Sequence, residues 1–278
     1  MTIQVRELST NTSGFPVTDG DGVKLTRIIG TPELNMLDPF LLLDAFESDQ
    51  AQDYLGGFPD HPHRGFETVT YLLAGRMRHK DSAGHEGVIE AGGVQWMTAG
   101  KGIIHSEMPE QEDGLLQGFQ LWVNLPASEK MRPPAYQEFP SNKIAVEYLE
   151  NGGEVRVIAG STDNGTTGPV VNRFVNPIFL DISLPEGKVF EQTVSIDNNG
   201  FIFVISGEVS VGHSMQKISH HQMGVLAGGE RVVVKAQKET RFLLVAAQPL
   251  NEPVARGGPF VMNTRAEVLQ AFEDFRGL

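Results

Sequence analysis

His61-Pro62-His63-Arg64-Gly65-Phe66-Glu67-Thr68-Val69-Thr70-Tyr71-Leu72-Leu73-Ala74-Gly75 runs from two imidazoles into a β-branched and aromatic stretch that stops at glycine. A run of that composition, bounded in that way, reads as a strand over residues 67–73. Side chains of a strand alternate between its faces. Residues 61, 63, 65 and 67 therefore share one face if the strand is entered early, and that face receives two imidazoles and a carboxylate. Pro62 has no N–H to give to a ladder, which places the histidines near a strand start or on an edge.

Outward from this stretch, strand-like segments recur at 23–29, 118–125, 144–148, 155–159, 178–184, 201–205 and 241–247. The 31 Gly and 16 Pro are dispersed, as short strands joined by tight turns require. The expected fold class is all-β, in barrels or sandwiches. One helix is expected, at the C-terminus: Thr264-Arg-Ala-Glu267 is a capping box, and Val268, Leu269, Phe272 and Phe275 then fall on one face.

A chain of 278 residues can bury two cores. Residues 126–140, with Pro133-Pro134, divide it nearly in half, so the expected domains are 1–135 and 136–278, the helix belonging to the second. An internal echo agrees: Tyr71-Leu-Leu-Ala-Gly75 and then Met97-Thr-Ala-Gly100 parallel Phe203-Val-Ile-Ser-Gly207 and then Val225-Leu-Ala-Gly228. Repeats at half the chain length point to duplicated domains.

Composition excludes several function classes. Without cysteine there is no disulfide, thiolate ligand or cysteine nucleophile, so any metal sits on nitrogen and oxygen. A formal charge of −13 and the lack of a basic run disfavour direct nucleic-acid binding. No apolar run reaches the ~20 residues of a membrane helix, and the start lacks a signal-like stretch. A cytoplasmic protein is expected.

A second ligand pair, His105-Ser-Glu107, follows the Gly-rich turn Ala99-Gly-Lys-Gly102 and repeats the i, i+2 spacing. An isolated His-X-His is more often a turn or surface feature; two such pairs flanking hairpins that a barrel can bring together are the stronger signal. Imidazole nitrogen with carboxylate oxygen suits iron, manganese, nickel, copper or zinc. Glu67 has the parity to orient a His N–H, or else to pair with Arg64 or Lys101. His79 and His85 read as solvated loop residues. His220 and His221, adjacent on a strand, would point to opposite faces and not share an ion. Trp96, Phe119, Trp122 and Gln120 are candidates either for a pocket wall or for plain core.

The run from His61 to Tyr71, the run Gly100-Lys-Gly-Ile-Ile-His-Ser-Glu107 and the late Gly258-Pro-Phe-Val-Met-Asn263 closely resemble the pirin family, and the likeness covers nearly the whole chain. Thr98 stands where the general cupin pattern usually has Pro, and the Glu67 to Gly75 spacing is one residue longer. Both departures agree with pirins. The resemblance implies a bicupin with two facing β-barrels and one metal ion, in the N-terminal barrel. The ion implied is Fe (Fe2+/Fe3+), on His61, His63, His105 and Glu107.

Two functions are implied. One is cleavage of flavonols such as quercetin with O2, with Glu107 as catalytic base. The other is iron-dependent redox-sensing regulation through protein partners. A sugar isomerase on the same fold fits less well, since no Lys or Arg cluster forms a phosphate clamp. Sliding the echo across the halves sets Thr193 and Ser195 opposite the first histidine pair, and Val233 and Lys235 opposite His105 and Glu107. A metal-free second barrel is expected from those side chains.

Overall fold

The computed structural model describes residues 3–276. The chain divides into two compact units, each interleaved in sequence: Phe15–Ser141 with the chain from Leu250 onward, and Asn142–Pro249 with the chain up to Gly14. Each unit is a β-barrel made of one seven-stranded and one four-stranded sheet.

In the first unit the large sheet runs, in spatial order, Ala135–Phe139, Val94–Thr98, Phe66–Ala74, Leu116–Asn124, Phe40–Ser48, Val23–Ile29, Phe15–Asp19. Its small sheet runs Phe58–His63, Ile103–Pro109, Arg76–Asp81, Glu86–Glu90. The second unit repeats the order except at one edge, where the strand comes from the start of the chain instead of from the end of the barrel. Its large sheet is Leu8–Thr12, Met223–Leu226, Asn199–Ser206, Thr240–Ala247, Ile178–Leu184, Glu154–Ala159, Ala145–Tyr148, and its small sheet is Val189–Thr193, Arg231–Ala236, Glu208–Val211, Gln216–Ser219.

The echoed motifs occupy equivalent places, each strand ending in a glycine at positive φ, Gly75 at 85° and Gly207 at 82°. A Cβ at Gly75 would lie 2.5 Å from Gln111 Oε1, and one at Gly207 2.3 Å from the Glu239 carbonyl oxygen, so the turn tolerates no side chain at either position.

The domain limits differ from 1–135 and 136–278. The stretch read as a linker holds an edge strand, Ala135–Phe139, paired with Val94–Thr98, and the first unit extends to Ser141. Leu8–Thr12 takes the equivalent edge of the second unit, beside Met223–Leu226. A strand added at either place satisfies backbone groups that an open edge would leave unpaired.

The C-terminal helix belongs to the first unit, not the second. The chain returns through Ala255–Gly257 and Phe260–Met262, where Val261 N–H donates to the Arg64 carbonyl at 3.0 Å. Arg64 also donates to Asp274 at 2.6 Å, and the buried Lys130 ammonium joins Gly65 and Val261 through their carbonyls. The helix Arg265–Asp274 keeps the expected capping box of Thr264 and Glu267. Its buried residues are Val268 and Ala271, whereas Leu269 and Phe272 stay 56% and 42% exposed. Val268 and Ala271 face the Phe260 hairpin, Phe272 and Phe275 still set their rings 4.9 and 5.3 Å from that of Phe260, and of the expected apolar face Leu269 is the residue left mostly in solvent. Thr264→Ala should lower stability by about 1 kcal/mol. Its signature is a smaller denaturant midpoint with the slope unchanged.

The two interiors differ chemically. The second barrel is filled by one continuous cluster that includes Phe190, Val194, Val209, Val211, Val232 and Val234. On its Arg231–Ala236 strand Val232, Val234 and Ala236 are the buried residues, so the expected facing pair of Val233 and Lys235 is off by one position. The first barrel instead buries His63, His79, His105, Glu107 and Gln95 alongside its apolar residues.

Candidate metal centre

The strand Phe58–His63 lies antiparallel beside Ile103–Pro109, with His61 opposite His105 and His63 opposite Ile103. Strand parity and this register bring the two sequence-distant pairs together. The His61 and His63 rings are 4.7 Å apart, His61 and His105 4.4 Å, and His63 and His105 5.0 Å, centroid to centroid. Ligand nitrogens of the three lie within 4.8 Å of one another.

Hydrogen bonding sets the tautomer of His61. Its Nδ1 is 2.8 Å from the Pro59 carbonyl oxygen, which can only accept, so Nδ1 carries the proton. In the neutral ring Nε2 is then a lone pair, directed at His63 Nε2 only 3.0 Å away. Burial pushes His63 well below the usual imidazole value, helped by the neighbouring His105 and His61. Burial likewise lowers His105 to about 4. Both His105 nitrogens are buried with no hydrogen-bond partner among the described residues. Imidazole nitrogens left unpaired in the interior, as those of His105 are, are costly to bury alone, and a cation between the three rings removes that cost. The donor set fits a first-row transition metal.

Glu107 is adjacent to this cluster and outside it. A shift in register between His105 and Glu107 re-aims the strand there. The carboxylate is 1% exposed and accepts from Thr70 Oγ1 at 2.8 Å and from Gln120 Nε2 at 3.0 and 2.8 Å. Thr70 was not legible as a site residue, because a Thr in a strand carries no signal until its cross-strand partner is known. Glu67 accepts from Thr98 Oγ1 at 2.7 Å, while Arg64 is engaged by Asp274 and by the Lys101 carbonyl.

A cavity of about 420 Å³ opens beside the histidines, lined among others by Phe58, His61, His63, Gln120, Trp122 and Arg256. Of the aromatic candidates, Trp122 is a wall residue; Trp96 and Phe119 are core, at 1% and 4% exposure. Asp19, Arg27 and Asp44 also line the cavity. Arg27 pairs with Asp44 through two bonds, at 2.9 and 2.8 Å, and with Asp19 at 2.7 Å. None of these charges stands out in sequence, since each is distant from the histidine motifs.

Of the other histidines, His85 matches its sequence reading, whereas His79, His220 and His221 do not. His79 is buried on Arg76–Asp81, 2.6 Å from Glu138 and stacked near Tyr136, because that strand alternates and turns Met77, His79 and Asp81 inward. His85 keeps an exposed side chain, 3.0 Å from Asp81. His220 and His221 lie in a turn after Gln216–Ser219, and a positive φ at His221 brings their rings to 3.7 Å.

Among known proteins, family models described as pirin and as the pirin C-terminal cupin domain match residues 22–123 and 179–278. A pirin-like protein of Caulobacter vibrioides is 55% identical, covering 98% of each chain, and human pirin is 47% identical over 93% of this chain and 88% of its own. A solved quercetin 2,3-dioxygenase from Acinetobacter baumannii superposes with a TM-score of 0.89 at 34% identity, covering 98% of this chain and 97% of the other. With both pirin family models matched and relatives aligned nearly from end to end, the chain belongs to the pirin family.

Proposed function

We propose that this chain is a metal-dependent oxygenase that opens flavonol-like substrates with O2, holding one iron ion on His61, His63 and His105 with Glu107 completing the set. The observation that carries the reading is the convergence of three imidazoles beside an aromatic-walled cavity of about 420 Å³. The likeness to the Acinetobacter quercetin 2,3-dioxygenase supports the substrate class. When bound, the ion supplies Lewis acidity toward a chelating hydroxyl–carbonyl pair and a redox partner for O2.

The chain's own residues do the remaining work. Thr70 and Gln120 hold the Glu107 carboxylate in one orientation, from which it takes the proton of a substrate hydroxyl. Gln120 touches both Glu107 and the cavity, so the base and the substrate share one positioning residue. Phe58, Leu42 and Trp122 give a planar ring apolar walls that exclude water.

Aerobic turnover of a flavonol panel by iron-reconstituted protein, with metal content assayed alongside, tests the reading. Oxygen uptake matching flavonol loss, above that of free iron at equal concentration, is the expected result. No uptake with any flavonol would replace it with iron-dependent redox sensing through a protein partner.

A further inference from the structure

The cavity wall holds two arginines, and they are not equivalent. Arg27 is charge-paired, through its Nε and Nη2 donors, with Asp44 and Asp19. Arg256 forms no ion pair with any described residue; its one hydrogen bond is from Nη1 to the Leu41 carbonyl at 3.3 Å. A guanidinium has five N–H donors, so most of its capacity is unspent. The group is held in place by the indole of Trp122, whose ring centroid is 4.8 Å away. The same indole stands 5.2 Å from the His63 ring, on the cluster side. The uncommitted donors and the imidazoles thus line one cavity, separated by the width of one side chain.

We infer that Arg256 selects substrates carrying an anionic oxygen, a carboxylate or an ionised phenol, at the end of the aromatic frame away from the histidine cluster. The inference rests on the oxygenase reading for the role of the histidine end and names the substrate class for that reading. A planar anion suits the guanidinium fork, which can donate two parallel bonds. Bulk attraction does not explain the preference, because Arg27 and Arg256 are balanced by Asp19 and Asp44, all four on the cavity wall. Selectivity comes from which guanidinium lacks a carboxylate partner. Burial, and the like charge of Arg27 beside it, make an unpaired Arg256 unfavourable, and an incoming anion relieves both. With two carboxylates close by, the expected gain is about tenfold, well short of a fully desolvated charge pair.

The test uses two probes of nearly equal shape, 2-naphthoate and 2-naphthamide, titrated calorimetrically into the metal-loaded full-length protein. Wild type should bind the carboxylate about tenfold tighter than the amide. R256Q should bring the two affinities together, and R256K, which keeps the charge but loses the fork, should fall between. Near-UV circular dichroism checks that both variants keep the packing around Trp122. Equal affinities in wild type, no binding of the carboxylate, or a preference that persists in R256Q would each overturn the inference. Failure of flavonol turnover would be a separate result, since the probes report binding without chemistry.

Discussion

Replacing His61 and His105 together with alanine should strip the protein of its ion. Purified wild type is expected to carry about one first-row metal per chain, and the double variant almost none, by elemental analysis. The magnitude follows from the geometry. Three nitrogens meet within 4.8 Å, and removing two leaves His63 alone on the strand Phe58–His63. Loss of a partner that merely orients a ligand already costs about 10–100-fold in affinity, and loss of two ligands costs more. Added metal should raise the thermal midpoint of wild type but not of the double variant, because only the native site binds. The same assay reads the second barrel, where Val232 and Val234 fill the equivalent strand and offer no lone pair. His85→Ala, altering an exposed imidazole, is the control. Full occupancy in the double variant would show that the ion sits elsewhere.

Glu107→Gln should separate turnover from metal retention. The amide keeps nearly the same shape and its one oxygen can still accept from Thr70 and Gln120, while three imidazoles remain for the ion. What it loses is the basic oxygen. A positioned general base contributes about 100-fold or more, so kcat on a flavonol should fall by about that factor with metal content largely kept. His63→Ala should instead lose metal and turnover together. Metal loss from Glu107→Gln as complete as from the double histidine variant would make Glu107 a ligand first and discard its role as base.

Much of both barrels was readable in the chain. Strands at 23–29 and 178–184 match the observed Val23–Ile29 and Ile178–Leu184, because alternating β-branched residues between turn formers have few other ways to satisfy their backbone. The parity of His61, His63 and His105 was equally plain, since a period of two is a property of the strand alone. His79 was misread for the complementary reason. Its polar neighbours Arg78 and Lys80 look like a loop, but they are the outward half of an alternating strand whose inward half is Met77, His79 and Asp81.

By itself, then, the sequence determined the all-β class, the duplication, the capping box and which imidazoles share a strand face, all consequences of short-range periodicity and turn chemistry. Tertiary structure alone decided which strand closes each barrel edge, that the C-terminal helix joins the first unit, and that Arg256 faces the same cavity as His61. Register across the barrel also chose the partners of Glu107, Thr70 and Gln120. Such pairings join positions far apart in the chain, and the energies that select them, edge pairing, burial and the satisfaction of buried charge, exist only once the barrel has closed.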